Sequence, residues 1–129
     1  MRAEELKGHL DAVLLAALEG GPRHGYAVIE ALRQSTDGRL DLPTGTIYPA
    51  LRRLEQAGLI AGTWSVVGGR RRREYRLTPA GIRALSGRRA AWQDFSAIVT
   101  AALESATRVN AVLENAALED TACPSPNPA

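Results

Sequence analysis

One cysteine, Cys123, and two histidines, His9 and His24, stand among 129 residues. A lone thiol closes no internal disulfide, and so few soft ligands exclude a Cys/His zinc site within one chain. No apolar run reaches the ~18 residues of a membrane-spanning helix. No apolar core of signal-peptide length precedes Pro22, so neither membrane nor export is expected, and the address read is cytoplasmic. Catalytic signatures are missing too. There is no nucleophile–base pair, no metal constellation and no phosphate-binding glycine loop, since Gly68-Gly69 is part of no G-x-G-x-x-G. No cofactor is expected, and an enzyme is not.

Acids are scarce in one place. Residues 39–89 carry eleven arginines against three acids, a balance of +8, whereas residues 1–38 sum to −2 and residues 90–129 to −4. The overall +2 conceals a basic centre between acidic ends, which suggests that the middle of the chain meets a polyanion. Length and a 45% apolar content fit one globular domain.

Spacings of three and four among Leu6, Leu10, Val13, Leu14, Ala17 and Leu18 predict a helix over 4–19, stopped by Gly20-Gly21-Pro22. A second helix is expected over 24–34, with Tyr26, Ile29 and Leu32 as buried positions. A third opens near Thr44, read as its N-cap, and closes at Gly58. At 100° per residue, Ile47, Ala50, Leu51, Leu54 and Ala57 share the core arc. Gly45, Tyr48, Pro49, Arg52, Arg53 and Gln56 fall on the other side. Two β-prone runs, 59–67 and 70–77, flank Gly68-Gly69 as a hairpin. Thr78-Pro79 is a cap followed by a first-turn proline. A long helix over 79–118 then carries an apolar stripe repeating every seven residues through Leu85, Trp92, Val99, Ala106 and Leu113. Forty helical residues would extend about 60 Å. A domain this small cannot cover that length, so a second chain is the natural partner. Residues 119–129, with three prolines, read as a disordered tail.

Helix, helix, helix, hairpin, long helix is a winged helix-turn-helix plan. The expected fold is therefore mostly α with a two-stranded β wing. Residues 1–78 form the DNA-binding domain and 79–118 the dimerisation helix. In this plan the third helix enters the major groove and the hairpin touches flanking backbone. Strand alternation must divide the arginines of 70–73 between two faces.

Three segments resemble the PadR-like transcriptional regulators. They are His24-Gly25-Tyr26, the stretch from Gly45 through Tyr48-Pro49-Ala50-Leu51-Arg52-Arg53-Leu54 to Ile60, and the stretch from Gly69 through Tyr75 to Gly81. The resemblance spans roughly residues 6–95. It implies a dimeric DNA-binding repressor of its own or a neighbouring operon, often released by a ligand, in the smaller class with one dimerising helix.

The candidate DNA contacts are Thr46, Tyr48, Pro49, Arg52, Arg53 and Gln56 on the third helix, and Arg70, Arg71, Arg72 and Arg73 on the wing. His24 reads as a cap or packed ring before a phosphate contact, and Gly25 as a site of close helix packing. Candidate dimerisation residues are Leu85, Trp92, Phe95, Val99, Leu103, Val109 and Leu113. Trp92 and Phe95 are also candidates to stack on a planar small-molecule effector. The expected partners are a second copy of the chain and double-stranded, palindromic DNA with half-sites about 34 Å apart. The competing reading is a winged-helix adaptor that binds protein instead of DNA. The dense arginines argue against it.

Overall fold

The computed structural model describes Leu6 and residues 8–122, the side chains at 106–109 and 117–122 excepted. Elements follow in the order α1 (Leu10–Ala17), β1 (Arg23–His24), α2 (Gly25–Ser35), α3 (Thr44–Gln56), β2 (Ile60–Val67), β3 (Arg70–Leu77) and α4 (Pro79–Ala122). No described helix is long and apolar enough to cross a membrane. Two compact units result, Met1–Arg89 and Ala90–Ala129.

In the first unit the apolar arcs of the three short helices converge. Leu14 and Leu15 of α1, Val28, Ile29 and Leu32 of α2, and Ile47, Ala50, Leu51 and Leu54 of α3 are buried together, with Ile60 and Tyr75 from the sheet. Each large aliphatic side chain removed from water contributes about 1.5–3 kcal/mol, so this cluster fixes how α3 is presented. Leu85 belongs here as well. Only 3% exposed, it packs into the core of the winged unit, which removes it from the dimerisation stripe where seven-residue spacing had put it.

Several boundaries differ from the sequence reading for local reasons. Leu6 is helical, but Gly8 has φ +92°, outside helical space, and breaks the expected helix, so that α1 begins at Leu10. The N-cap of α3 is Pro43, with Thr44 as its first residue and no side-chain cap bond. Tyr26 lies 59% exposed while Val28 takes the buried position. Ala57 is exposed past the end of α3. Helix α4 reaches Ala122, through residues assigned to the tail. Cys123 and the rest of that tail, like the side chain of Val109, lie outside the described residues.

The sheet has three antiparallel strands in the order β1-β3-β2, one more than the expected wing. The two residues of β1 pair Arg23 with Tyr75 and His24 with Glu74. Gly68 and Gly69 turn the hairpin at φ +59° and +78°, the left-handed pair that a tight two-residue loop requires. At the hairpin's base, Thr78 Oγ1 donates to the Gly58 carbonyl at 2.6 Å and accepts from Gly81 N–H at 3.0 Å. Gly81 permits this close approach, because a Cβ would stand 1.9 Å from the Leu59 carbonyl oxygen.

Candidate nucleic-acid interface

Burial of Ile47, Ala50, Leu51 and Leu54 turns the opposite face of α3 to solvent. On that face Tyr48, Pro49, Arg52, Arg53 and Gln56 are exposed, and Thr46 is half-buried. Pro49 sits inside the helix, where it lacks the N–H that would reach back one turn.

Tyr48 is held by its neighbour. A Cβ at Gly25 would meet the Tyr48 ring at 2.5 Å, so the bare backbone at the start of α2 is what seats the ring. Sequence reasoning caught Gly25 as a close-packing position without identifying the ring. Tyr48 and Gly25 line a concavity of about 330 Å³ with His24, Tyr26, Arg71, Arg72 and Arg73. Elements far apart in sequence thus bring three wing arginines beside α3.

The register divides the wing as alternation requires. Trp64 pairs with Arg73 and Val66 with Arg71, whereas Ser65 pairs with Arg72 and Val67 with Arg70. Directly paired residues share a face. Trp64 is exposed, with the Arg71 guanidinium 4.6 Å and the Arg73 guanidinium 5.3 Å from its ring centroid. Contacts of this kind hold a cation in place at a cost to its freedom. Trp64 carried no mark in the sequence beyond its β-propensity.

The arginines are not equivalent. Arg73 is half-buried and paired with Glu55 of α3. Its hydrogen bond to Glu55 raises its pKa, against the opposing effect of burial. Gly62 leaves room for that crossing, since a Cβ there would touch the Arg73 guanidinium at 2.7 Å. The placement of Arg73 favours binding the wing to α3 over reaching a ligand. Arg53 keeps an exposed ion pair with Asp11 at 3.1 Å, which a phosphate could displace at little cost. Arg52, Arg70, Arg71 and Arg72 are exposed. Tyr75, beneath this surface, has its hydroxyl pKa raised first by burial and next by the charge of Glu55.

His24 is the N-cap of α2, its Nδ1 accepting from Ala27 N–H at 3.3 Å. Its Nε2 lies 3.1 Å from Arg72 Nη1. No cluster of three or more potential metal ligands occurs among the described residues.

In the second unit the described stripe is open. Trp92, Phe95, Ile98, Val99, Leu103, Val112 and Leu113 are all exposed. The rings of Trp92 and Phe95 have centroids 6.0 Å apart, tilted by 39°.

Comparison with known proteins brings these features together. Residues 14–87 match the transcriptional regulator PadR-like family. A transcriptional regulator of Mycobacterium tuberculosis is 42% identical over 74 residues, 57% of this chain and 56% of that protein. A PadR family transcriptional regulator from Eggerthella lenta superposes with a TM-score of 0.67 at 34% identity, covering 78% of this chain and 87% of that one. A transcriptional regulator from Clostridium thermocellum gives a TM-score of 0.70 at 28% identity, over 76% and 96% of the two chains.

Proposed function

This chain belongs to the PadR-like family of transcriptional regulators, and we propose that it acts in the cytoplasm as a homodimeric repressor on palindromic DNA. Helix α3 enters the major groove with Tyr48, Pro49, Arg52, Arg53 and Gln56, while Thr46 meets a phosphate at its start. Arg70, Arg71 and Arg72 hold the flanking backbone. The observation that carries this reading is that Tyr48 of α3 lines the same concavity as Arg71 and Arg72 of the wing. A groove-reading helix and a phosphate-binding strand need that adjacency.

The homodimer rests on the exposed stripe of α4 from Trp92 to Leu113. That much apolar surface on one helix calls for a second chain. Two copies would present paired α3 helices to half-sites about 34 Å apart. A planar effector stacking on Trp92 and Phe95 would alter this dimer and with it DNA affinity.

Fluorescence anisotropy with the chain's own upstream DNA and a scrambled duplex, at two salt concentrations, tests the reading. Tight binding to the first, a wide gap to the second and a steep loss with salt are expected. Absence of binding to either duplex at low salt would favour the protein-binding adaptor. The effector step fails if no planar compound changes affinity and the dimer interface proves filled.

A further inference from the structure

His24 stands between two donors. Ala27 N–H points to Nδ1 at 3.3 Å and the Arg72 guanidinium lies 3.1 Å from Nε2. Guanidinium nitrogens only donate, and a neutral imidazole has one acceptor nitrogen. The ring cannot accept at both. Capping α2 through Nδ1 puts the proton on Nε2, facing Arg72 N–H. Accepting from Arg72 through Nε2 puts the proton on Nδ1 and abandons the cap. On the same strand face, Ser65, the cross-strand partner of Arg72, buries its Oγ without a hydrogen-bond partner among the described residues. This part of the wing has polar demand that the described chain does not meet.

An anionic oxygen resolves the conflict. It accepts from Nε2–H and from Arg72 together, and the cap survives. We propose that His24 and Arg72 form a clasp for one phosphodiester oxygen of duplex DNA. The assignment rests on the DNA-binding reading and extends it to the start of α2. The clasp lines the same concavity as Tyr48 and Arg71, so a backbone running past α3 meets it. In the free protein His24 divides its proton between two tautomers; on DNA it holds the Nε2–H form.

Three measurements on the full chain test this. Nitrogen-15 shifts of the His24 ring should move from a tautomer mixture to Nε2–H when duplex is added. His24→Asn keeps a good side-chain cap and loses the Nε2 donor, so its unfolding midpoint should stay near wild type. Its affinity for specific and scrambled duplex should fall together, about tenfold, the loss expected of a charge-assisted hydrogen bond. Arg72→Ala should lower the log–log salt slope by about 0.9, and adding His24→Asn to it should cost far less than tenfold, because the two share one oxygen. Wild-type binding accompanied by unchanged affinity of His24→Asn, or strict additivity of the pair, overturns the clasp alone. Failure of the wild type to bind any duplex overturns the DNA reading and the clasp with it. Locking of the tautomer by millimolar inorganic phosphate, but not by duplex, reassigns the oxygen to a free anion and overturns the DNA contact.

Discussion

The two compact units use the same kind of helical spacing and treat it oppositely. In Met1–Arg89 the residues at three- and four-residue intervals on α1, α2 and α3 meet one another and disappear from solvent. In Ala90–Ala129 a comparable series, Trp92, Phe95, Val99, Leu103 and Leu113, remains exposed. Amphipathic spacing states that a face has to be covered. What covers it depends on the elements opposite: three helices and a sheet in one case, and on our reading a second chain in the other.

The sharpest way to break this contrast is Leu51→Ala against Leu103→Asp. Leu51 is fully buried, so its truncation should cost about 2–5 kcal/mol in urea unfolding, whatever the protein concentration. Leu103→Asp should leave the helical signal of the winged unit in place and convert a sedimenting dimer into monomer. A wild-type chain that sediments as a monomer at micromolar concentration ends the idea that the stripe is an interface.

Gly81→Ala comes next. The Leu59 carbonyl leaves no room for a methyl group, so the start of α4 or the hairpin base must shift, at a loss of about 1–3 kcal/mol. A thermal midpoint within 1 °C of wild type (about the error of a scan) would show that the backbone yields freely there.

Smaller again is the difference between Arg70 and Arg73, at the two ends of the arginine run on β3. Arg70→Ala should lower the salt slope of DNA binding by about 0.9 and leave unfolding unchanged. Arg73→Ala, which loses the Glu55 pair and the Trp64 stack, should lower the unfolding midpoint and keep the slope. Equal slopes lost by both would put Arg73 on DNA after all.

The smallest effect concerns Glu19, which receives two bonds of 2.8 Å from Arg89. Hydrogen bonding to Arg89 is the leading cause of its lowered pKa. The stabilisation is present above the ordinary carboxylate range and is lost as pH falls through the depressed folded value. Glu19→Gln should therefore flatten the acid limb of the stability profile slightly, since both groups are exposed. Superimposable acid limbs would show that the pair contributes nothing.

Features written in neighbouring residues were legible in the sequence. The arc of α3 from Ile47 to Leu54, the Gly68-Gly69 turn and the Thr78-Pro79 start of α4 each need only a few consecutive residues, and the structure has all of them. What escaped depends on distant partners. Strand β1 is two residues long, too short to alternate, and exists because β3 runs beside it. The Arg73–Glu55 and Arg53–Asp11 pairs join positions 18 and 42 residues apart, so alternation could divide the wing arginines between two faces but could not show which arginine is held by an acid. Leu85 kept the spacing of the stripe, but spacing cannot tell where one partner ends and the next begins.

The hydroxyl of Thr78, bonded to Gly58 at one side of the hairpin base and to Gly81 at the other, closes the wing from below. Nearer the base, β1, His24 and Glu55 tie the wing as well, but its outer part, from Val66-Val67 through Gly68-Gly69 to Arg70-Arg71, hangs on the ladder between β2 and β3. Relatives should therefore tolerate wings of different lengths, provided that insertions come symmetrically on both strands. One residue added to a single strand would exchange the sides on which Trp64 and Ser65 lie. Wing length would then be the easiest quantity for divergence to change and wing parity the hardest.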